Sequence, residues 1–427
     1  MVDVPAPPLR PWADLDADLI SCIGDCCVLT DYASCRAVCA AWRSALPPPL
    51  SLPLAVLPAD AAAGHPAVSV AACFLRARRW SRLPGLRCPT ALVGGAAASC
   101  RCVGARDGWI ALVATAAADG SALLFNPFTG TGIPLHAWLY DPARDAVAAP
   151  KIVFSPDPTP RDFAAVSVTR PNRIAVQRAA DGYSHSVVEY TNHLMDGADL
   201  VDVAYGGGGK VYCLAKGGEV YVLRLKRRRR RRRGAPWLPA LEVGPLHRAP
   251  LGADAFPAPY NVISQHTDAK NLLLYDGALY QVWRRPTGAG SVTVDTPAAG
   301  GKRWVCISEG DVFVLRYEPG RWPRWAVAEW KKDLGGNAVF VGSNDAAVVR
   351  GEGVSANSVY YWDNPPEGGH EPVVFNMATR ASVRWPEVAT GGTSSPVWYI
   401  SPAATDEEAT CEETACPEYD DEHSADM

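Results

Sequence analysis

The feature that most constrains the fold is a series of short apolar runs between Asp107 and Pro386, separated by Gly, Asp, Asn and Pro. Many of these runs alternate apolar and polar residues, as in KVYCLA, and a period of two is typical of strands with one buried face. We find roughly twenty such segments with no helical pattern between them. The sequence therefore predicts an antiparallel all-β domain, either a β-propeller or a large sandwich. A propeller closes radially and leaves fewer strand edges exposed.

Turn residues support the antiparallel interpretation. Asp276-Gly277 separates NLLLY from ALYQVW, and Gly217-Gly218 separates KVYCLA from EVYVLRL. Both pairs are predicted to form two-residue hairpin loops, because these residues readily adopt the positive φ that primed turns require. Asp119-Gly120 predicts a further hairpin.

The N-terminal segment from Pro11 to Ala45 has a different, helical period. Leu15, Leu19 and Ile23 recur every four residues and form one stripe of an amphipathic helix. A second helical set consists of Cys35, Val38, Cys39 and Trp42. Thr30 or Asp31 is the predicted N-cap of this second unit. A unit below about 40 residues rarely buries enough surface to be stable alone, so its apolar stripes need cover from the rest of the chain or from another protein.

This segment closely resembles an F-box, the motif by which substrate receptors dock on the Skp-type adaptor of a cullin–RING ubiquitin ligase. The matching features are the leucine–isoleucine stripe, Arg36 to Cys39, and Trp42 to Ser44. Asp16 stands where the family usually has proline, although its side chain is able to cap the helix. The resemblance implies that the adaptor is contacted by Leu15, Leu19, Ile23, Val38 and Trp42. The alternative is an ordinary helical pair that packs only on its own chain.

A second resemblance covers most of residues 50–400. The segments DGWIALV, LLFNPFTG, KIVFSPDP and NLLLYDGALYQVWR occur in the order seen in a plant-specific β-propeller that follows the F-box in a large family expanded in grasses. The block from Asn126 to Gly130 is the sharpest match, and its proline and glycine are typical of a turn after a strand. The resemblance implies an α+β multidomain chain, in which a short N-terminal three-helix F-box precedes an all-β propeller. The predicted organisation is a disordered lead (1–10), F-box helices (11–46), a connection with the first propeller strands (47–100), the propeller (101–400) and an acidic disordered tail (401–427).

Two opposed charge blocks depart from that family. The first is an unbroken cationic run, which belongs to a predicted loop at 226–234 and consists of Lys226, Arg227, Arg228, Arg229, Arg230, Arg231, Arg232 and Arg233. A strand of this composition would bury unpaired charges, so we predict a solvated loop. We interpret it first as a low-complexity insertion, with nuclear import or polyanion binding as alternatives. The second block is the tail, whose ten acidic residues and lack of Lys or Arg predict disorder. An additional hypothesis is that the tail folds back onto the arginine loop.

Several classes of function are not indicated by the sequence. No apolar run is long enough for a transmembrane helix, so no membrane association is expected. The 13 Cys are irregularly spaced, which is typical of free thiols in a reducing compartment. Cys22, Cys26, Cys35 and Cys39 are interpreted as apolar filler rather than a zinc site. Gly206 to Gly209 is interpreted as a hairpin turn rather than a phosphate loop. We predict no catalytic residue, no metal and no cofactor.

These patterns predict a substrate-recognition subunit of a cullin–RING ubiquitin ligase, located in the cytoplasm, the nucleus or both. The helices would bind a Skp-type adaptor and its cullin complex, and the propeller would bind an unknown target protein. Such a subunit acts by raising the effective concentration of the target near a charged enzyme. Nucleic acid is not an expected partner. Two alternatives remain: a ligase-independent nuclear interaction protein, and a propeller enzyme, which convergent polar residues in the central funnel would favour.

Overall fold

A computed structural model describes 18 stretches of the chain. They are residues 12–27, 29–46, 54–57, 69–74, 79–82, 100–114, 122–126, 129–140, 151–170, 173–180, 183–191, 199–226, 240–245, 255–298, 301–350, 354–363, 371–384 and 397–400. The predicted lead, Arg227 to Arg233, the Asp119-Gly120 hairpin and the acidic tail therefore lie outside the described residues. Lys226 is described as the last residue of a strand rather than as part of a loop.

Three short helices form the N-terminal module, as predicted: α1 (Ala17–Cys26), α2 (Leu29–Val38) and α3 (Ala40–Ala45). Asp16 occupies the N-cap position of α1, but its side chain makes no capping hydrogen bond. The predicted cap at Thr30 or Asp31 is wrong, because α2 begins at Leu29. Cys39 is extended, with φ −160° and ψ 178°, and separates α2 from α3. The second apolar set is therefore divided between two helices. Two further short helices, α4 (Tyr260–Ile263) and α5 (Trp330–Asp333), occur later in the chain.

Everything else that is regular in the described residues is β-structure, apart from short 3-10 turns. The strands form six sheets of four or five strands and one two-stranded ribbon. The first sheet contains, in spatial order, β27 (Val397–Tyr399), β1 (Leu54–Leu57), β2 (Ser69–Phe74) and β3 (Arg79–Arg82). The second sheet contains β4 (Cys100–Arg106), β5 (Trp109–Ala114), β6 (Ala122–Phe125) and β7 (Gly132–Leu135). The third sheet contains β11 (Tyr183–Thr191), β10 (Arg173–Ala180), β9 (Phe163–Arg170) and β8 (Ile152–Phe154).

The remaining sheets follow in the same direction around the molecule. The fourth sheet contains β12 (Leu200–Gly206), β13 (Lys210–Ala215), β14 (Val220–Lys226) and β15 (Ala240–Pro245). The fifth sheet contains β16 (Ala269–Tyr275), β17 (Ala278–Arg284), β20 (Val312–Tyr317) and β21 (Trp325–Val327). The sixth sheet contains β23 (Ala347–Val349), β22 (Ala338–Phe340), β24 (Ser358–Asp363), β25 (Glu371–Asn376) and β26 (Ala381–Arg384). The ribbon consists of β18 (Val292–Ala298) and β19 (Gly301–Ile307), inserted between β17 and β20.

The predicted all-β propeller is confirmed. Five of the sheets are four-stranded and antiparallel, and the five-stranded sixth sheet includes a parallel pair, β22 with β24. The strands β27, β4, β8, β12, β16 and β23 contact one another in turn and form the inner wall of the ring. The C-terminal strand β27 pairs with β1, so the two ends of the domain close the ring within one sheet.

The apolar core lies between neighbouring sheets. One cluster joins the second and third sheets, through residues such as Val103 and Phe163, and another joins the third and fourth. Further clusters join the fourth sheet to the fifth and the fifth to the sixth. At the closure, Phe340 and Trp362 of the sixth sheet pack on Trp398 of the first, with the two tryptophan rings stacked at 4.6 Å. Each sheet is thus stabilised mainly by burial against its neighbours.

Two predicted turns have different outcomes. Asp276-Gly277 forms the expected two-residue hairpin, with φ of 49° and 66°. The Gly217-Gly218 prediction is wrong in detail, because Ala215 and Glu219 pair around a three-residue loop and only Gly218 has positive φ. Gly206 to Gly209 does lie in a hairpin, between β12 and β13. Every helix in the described part of the chain falls short of the length and apolar character that a membrane crossing requires.

Candidate functional site

The N-terminal helices pack around a small apolar core of their own. Ile20, Tyr32, Trp42 and Leu46 are buried in it, and Trp42 is only 5% exposed. The Trp42 indole N–H also donates a hydrogen bond to the backbone carbonyl of Trp12, at 2.9 Å. The structure therefore places Trp42 inside the module, where its observed role is packing. Its contact with an adaptor stays a prediction.

The other four predicted contact residues surround this core. Leu15 and Ile23 are half-buried and pack against it, whereas Leu19 and Val38 are 52% and 55% exposed. Leu19, Cys22 and Cys26 are spaced by three and four residues on α1, and all three are exposed. Residues with this spacing share one side of a helix. We call Leu19, Cys22, Cys26 and Val38 the exposed apolar set of the helical module.

The cysteines of the module are thiols. Burial, reinforced by Cys35, raises the pKa of Cys27 to about 11, and the two sulfur atoms are 3.7 Å apart. A thiolate is the form that coordinates a metal or attacks as a nucleophile, so the raised pKa disfavours both roles for Cys27. The described residues include no group of three or more His, Cys, Asp or Glu side chains positioned to hold a metal ion.

Charged side chains converge at the centre of the propeller. Lys151, directly before β8, forms a buried ion pair with Asp202 of β12, with Nζ 2.7 Å from Oδ1. The other carboxylate oxygen of Asp202 accepts a hydrogen bond from the backbone N–H of Leu272 on β16, at 2.6 Å. Burial raises the pKa of the Asp202 carboxyl, while Lys151 and the backbone N–H groups lower it. This pair joins three successive inner strands.

Arg106, at the end of β4, connects more distant sheets. Its guanidinium donates to the carbonyl of Tyr205 at 2.8 Å and pairs with Asp345 at 3.2 Å and Asp107 at 3.0 Å. The backbone N–H of Asp345 in turn donates to the Ala105 carbonyl at 3.1 Å. Burial raises the pKa of Asp345 to about 6, and Arg106 opposes the shift. We call Arg106, Asp107, Lys151, Asp202 and Asp345 the central charge network.

The central charge network bears on the enzyme alternative. Convergent polar residues were the feature expected to favour an enzyme, and they are present. However, Lys151 and Asp202 are committed to each other, and Arg106 bridges two carboxylates and a backbone carbonyl. These bonds join β4, β8, β12, β16 and the turn that precedes β23, which is the arrangement expected of a structural clamp. The sequence offers no signal for this pairing, because the partners are separated by up to 239 positions.

Among the described residues of the propeller, the most exposed aromatic side chain lies on the ribbon. Val294 and Ile307 are buried against the fifth sheet, so the alternate residues Trp304 and Cys306 face outward. Trp304 is 67% exposed. Exposed tryptophan is enriched at protein interfaces, so the outer face of the ribbon is a candidate contact surface. The sequence analysis did not single out this residue.

Comparison with protein families gives one match. The family model described as the KIB1-4 β-propeller matches residues 77–376. The match covers most of the ring of sheets and leaves the three N-terminal helices outside it. No curated protein matches the chain.

Several solved structures resemble the propeller at low identity. AofleA from Arthrobotrys oligospora is 12% identical, with 72% of this chain and 90% of that chain covered and a TM-score of 0.25. The Cps50 (Swd1) β-propeller domain of Myceliophteria thermophila is 10% identical, with 66% and 85% covered and a TM-score of 0.30. Sqt1 of Saccharomyces cerevisiae is 11% identical, with 82% of each chain covered and a TM-score of 0.30. At these scores we draw nothing further from the likeness.

Proposed function

This chain belongs to the KIB1-4 β-propeller family, and from that premise we propose that it is the substrate receptor of a cullin–RING ubiquitin ligase. Its helices bind a Skp-type adaptor, and its propeller binds a target protein. A β-propeller is a rigid fold suited to protein interaction. The resemblance of the N-terminal residues to an F-box supplies the finer part of the proposal.

The observation that carries the proposal is the exposed apolar set of the helical module. Leu19 and Val38 remain more than half exposed although the module already has its own core around Trp42. Full burial of an aliphatic side chain of this size contributes about 1.5–3 kcal/mol. A partner that covers both side chains would therefore gain substantial binding energy without rearranging the core.

The mechanism needs no catalytic group on this chain. The receptor holds the target close to a ubiquitin-charged enzyme, so that transfer occurs at a high effective concentration. The rigid ring of sheets fixes the direction in which the target is presented.

We propose the outer face of the ribbon, centred on Trp304, as one part of the target-binding surface. We also propose a cytoplasmic or nuclear location, with the arginine run as the import signal of a nuclear form.

The test is binding of a purified Skp-type adaptor to the full chain. Leu19→Asp and Val38→Asp place a charge in the proposed interface, and each is expected to weaken binding at least about tenfold. Ala37→Asp is the matched control, because Ala37 is also exposed on α2 and directly precedes Val38. Equal adaptor affinity for Leu19→Asp and Ala37→Asp would favour the ligase-independent alternative.

Trp42 is unsuitable for the same test. Replacing a buried tryptophan by alanine costs about 3–5 kcal/mol through the cavity that remains. The helical module is too small to tolerate such a loss, so Trp42→Ala is expected to unfold it. Loss of adaptor binding in that variant would report the loss of the module rather than a contact.

A further inference from the structure

Among the described residues, Arg284, the last residue of β17, forms no ion pair. Its guanidinium lies over the ring of Tyr361, with Cζ 4.3 Å from the ring centroid. Its Nε is buried without a hydrogen-bond partner, and among the described residues no acceptor contacts the rest of the group. Burial lowers the pKa of Arg284, which Tyr361 and Asp363 partly offset. The side chain is therefore a half-buried cation whose Nε lacks an acceptor.

Three other arginines of the fifth and sixth sheets form ion pairs. Arg316 pairs with Asp333 at 2.8 Å, and Arg380 pairs with Asp311 at 2.7 Å. Arg384 pairs with Glu371 and with Asp363, the latter at 3.4 Å. Asp363 is the acid that acts on Arg284, but it is already engaged by Arg384.

Leaving the Nε of a half-buried guanidinium without an acceptor is unfavourable, because that N–H loses its hydration and no protein acceptor replaces it. The Tyr361 ring covers one face of the guanidinium plane, so the N–H groups at the edge of the plane are not covered by the ring. The N–H groups of a guanidinium edge bind planar oxyanions in a bidentate manner. The geometry is thus that of a preformed anion site.

Local charge decides which anion fits. The formal charges of Arg284, Arg384, Asp363 and Glu371 sum to zero before a ligand binds, and both acids are paired with Arg384. A carboxylate adds one negative charge, whereas a phosphate monoester adds nearly two beside the same two acids. Thr287 accepts a hydrogen bond from Arg384 at 3.1 Å, which leaves its hydroxyl hydrogen free to donate to an incoming oxygen.

We propose that Arg284 binds a carboxylate group of the target protein, so that the propeller selects targets with an exposed acidic segment. This assignment rests on the proposed function for the identity of the ligand as a target. The carboxylate chemistry follows from the site itself. The chain's own acidic tail is a second source of the same group.

Fluorescence anisotropy of a labelled octaglutamate peptide with the full chain tests the proposal. Arg284→Met is expected to weaken binding at least about tenfold. Arg284→Lys keeps the charge but loses the fork, so it should fall between wild type and Arg284→Met. Arg229→Met is the matched control, because it removes one arginine from the seven-residue run and should change affinity only slightly. Unchanged binding by Arg284→Met would overturn the proposal.

Two further arms identify the ligand. A chain ending at Pro402 lacks the acidic tail. The proposal predicts that this shorter chain binds octaglutamate with the same affinity as the full chain. Tighter octaglutamate binding by the shorter chain would identify the tail as the ligand and overturn the assignment to a target protein. A phosphoserine peptide of equal length should bind more weakly than octaglutamate, and tighter binding would overturn the carboxylate assignment.

A stability measurement separates binding from packing. If the role of Arg284 is to bind a ligand, the thermal unfolding midpoint of ligand-free Arg284→Met should equal or exceed that of wild type, because the substitution removes an unpaired charge. A lowered midpoint together with unchanged peptide binding would show a structural role and contradict the proposal. Adaptor binding should be the same in every Arg284 variant, so failure of this inference is distinguishable from failure of the proposed function.

Discussion

Asp345 is a residue of the central charge network whose ionisation is disfavoured by burial. Its Oδ1 is buried, and the described residues provide no hydrogen-bond partner for it. Burial raises its pKa to about 6 from 3.8, although Arg106 and Lys151 favour the charged form. Asp202 and Asp107 act in the same direction as burial. The folded protein therefore retains a proton on Asp345 under mildly acidic conditions in which the unfolded chain has released it.

This difference predicts a pH-dependent stability. Between about pH 4 and pH 6 the folded state binds more protons at Asp345 than the unfolded state, so the contribution of Asp345 to stability falls as pH rises. Asp345→Asn removes this contribution. Between pH 4 and pH 7, the free energy of unfolding of the variant should therefore rise by up to roughly 3 kcal/mol relative to that of wild type. Urea unfolding at several pH values measures the difference. Asp157→Asn, at an exposed turn, is the control, and an identical pH dependence in Asp345→Asn would contradict the prediction.

At the scale of single residues, sequence periodicity located the helical stripes but not their surroundings. Leu19 belongs to the first predicted stripe and Trp42 to the second apolar set, yet Trp42 is buried and Leu19 is exposed. Ile20 lies outside the predicted stripe and is one of the most buried residues of the module. Which side of a short helix packs depends on the neighbouring helices, and a helical period does not contain that information. Likewise, nothing in the sequence around Arg284 or Asp345 reveals which charges lie across the ring.

At the scale of elements, the close approach of β4 to β8 depends on Gly104. A Cβ atom at this position would lie 2.1 Å from the carbonyl oxygen of Ile152, which is backbone and has little freedom to move. Gly104 also follows a register irregularity in the pairing of β4 with β5. The contact between the second and third sheets therefore requires glycine at this point.

Gly104→Ala is accordingly expected to destabilise the propeller by about 1–3 kcal/mol or more, through forced separation of two sheets. Gly207→Ala is the matched control, since no atom lies within 4 Å of its Cβ position and its φ is not in the left-handed region. Thermal unfolding of the two variants should show a lowered midpoint only for Gly104→Ala. Equal midpoints would show that the sheets adjust to the extra methyl group.

Element types were more predictable than element contacts. Asp276-Gly277 was predicted correctly because a primed hairpin is determined by two adjacent residues. The Gly217-Gly218 loop differs because the pairing of Ala215 with Glu219 adds a residue that local composition does not specify. The ribbon β18–β19 was not predicted as a separate unit, because its strands have the same alternation as those of the sheets.

At the scale of the whole molecule, closure of the ring depends on its C-terminal strand. β27 pairs with β1, and Trp398 packs between Phe340 and Trp362 of the sixth sheet. The Tyr399 hydroxyl also donates to the Gly108 carbonyl at 2.8 Å, which attaches β27 to the second sheet. One short strand thus connects three sheets.

Trp398→Ala is expected to cost about 3–5 kcal/mol, since it empties a fully buried site at the closure. A chain that ends at Pro396 lacks β27 and should lose cooperative unfolding, whereas a chain that ends at Pro402 should unfold like wild type. Denaturant titration followed by tryptophan fluorescence compares the three. Cooperative unfolding of the Pro396 chain would show that the ring holds without this strand.

The propeller class followed from the number of short strands and their turns, and the family match over residues 77–376 agrees with it. The closure of the ring by β27 and β1 could not be predicted from the sequence, because no local pattern indicates that residue 54 pairs with residue 399. The role of the helices as an adaptor-docking module remains a proposal that rests on their exposed apolar set.

Hydrogen–deuterium exchange of the full chain, with and without a purified Skp-type adaptor, tests that proposal most directly. The account predicts that the adaptor slows exchange in α1 and α2, leaves the six sheets unchanged, and has no effect on the Leu19→Asp variant. Unchanged exchange in α1 and α2, or slowing confined to the propeller, would contradict it.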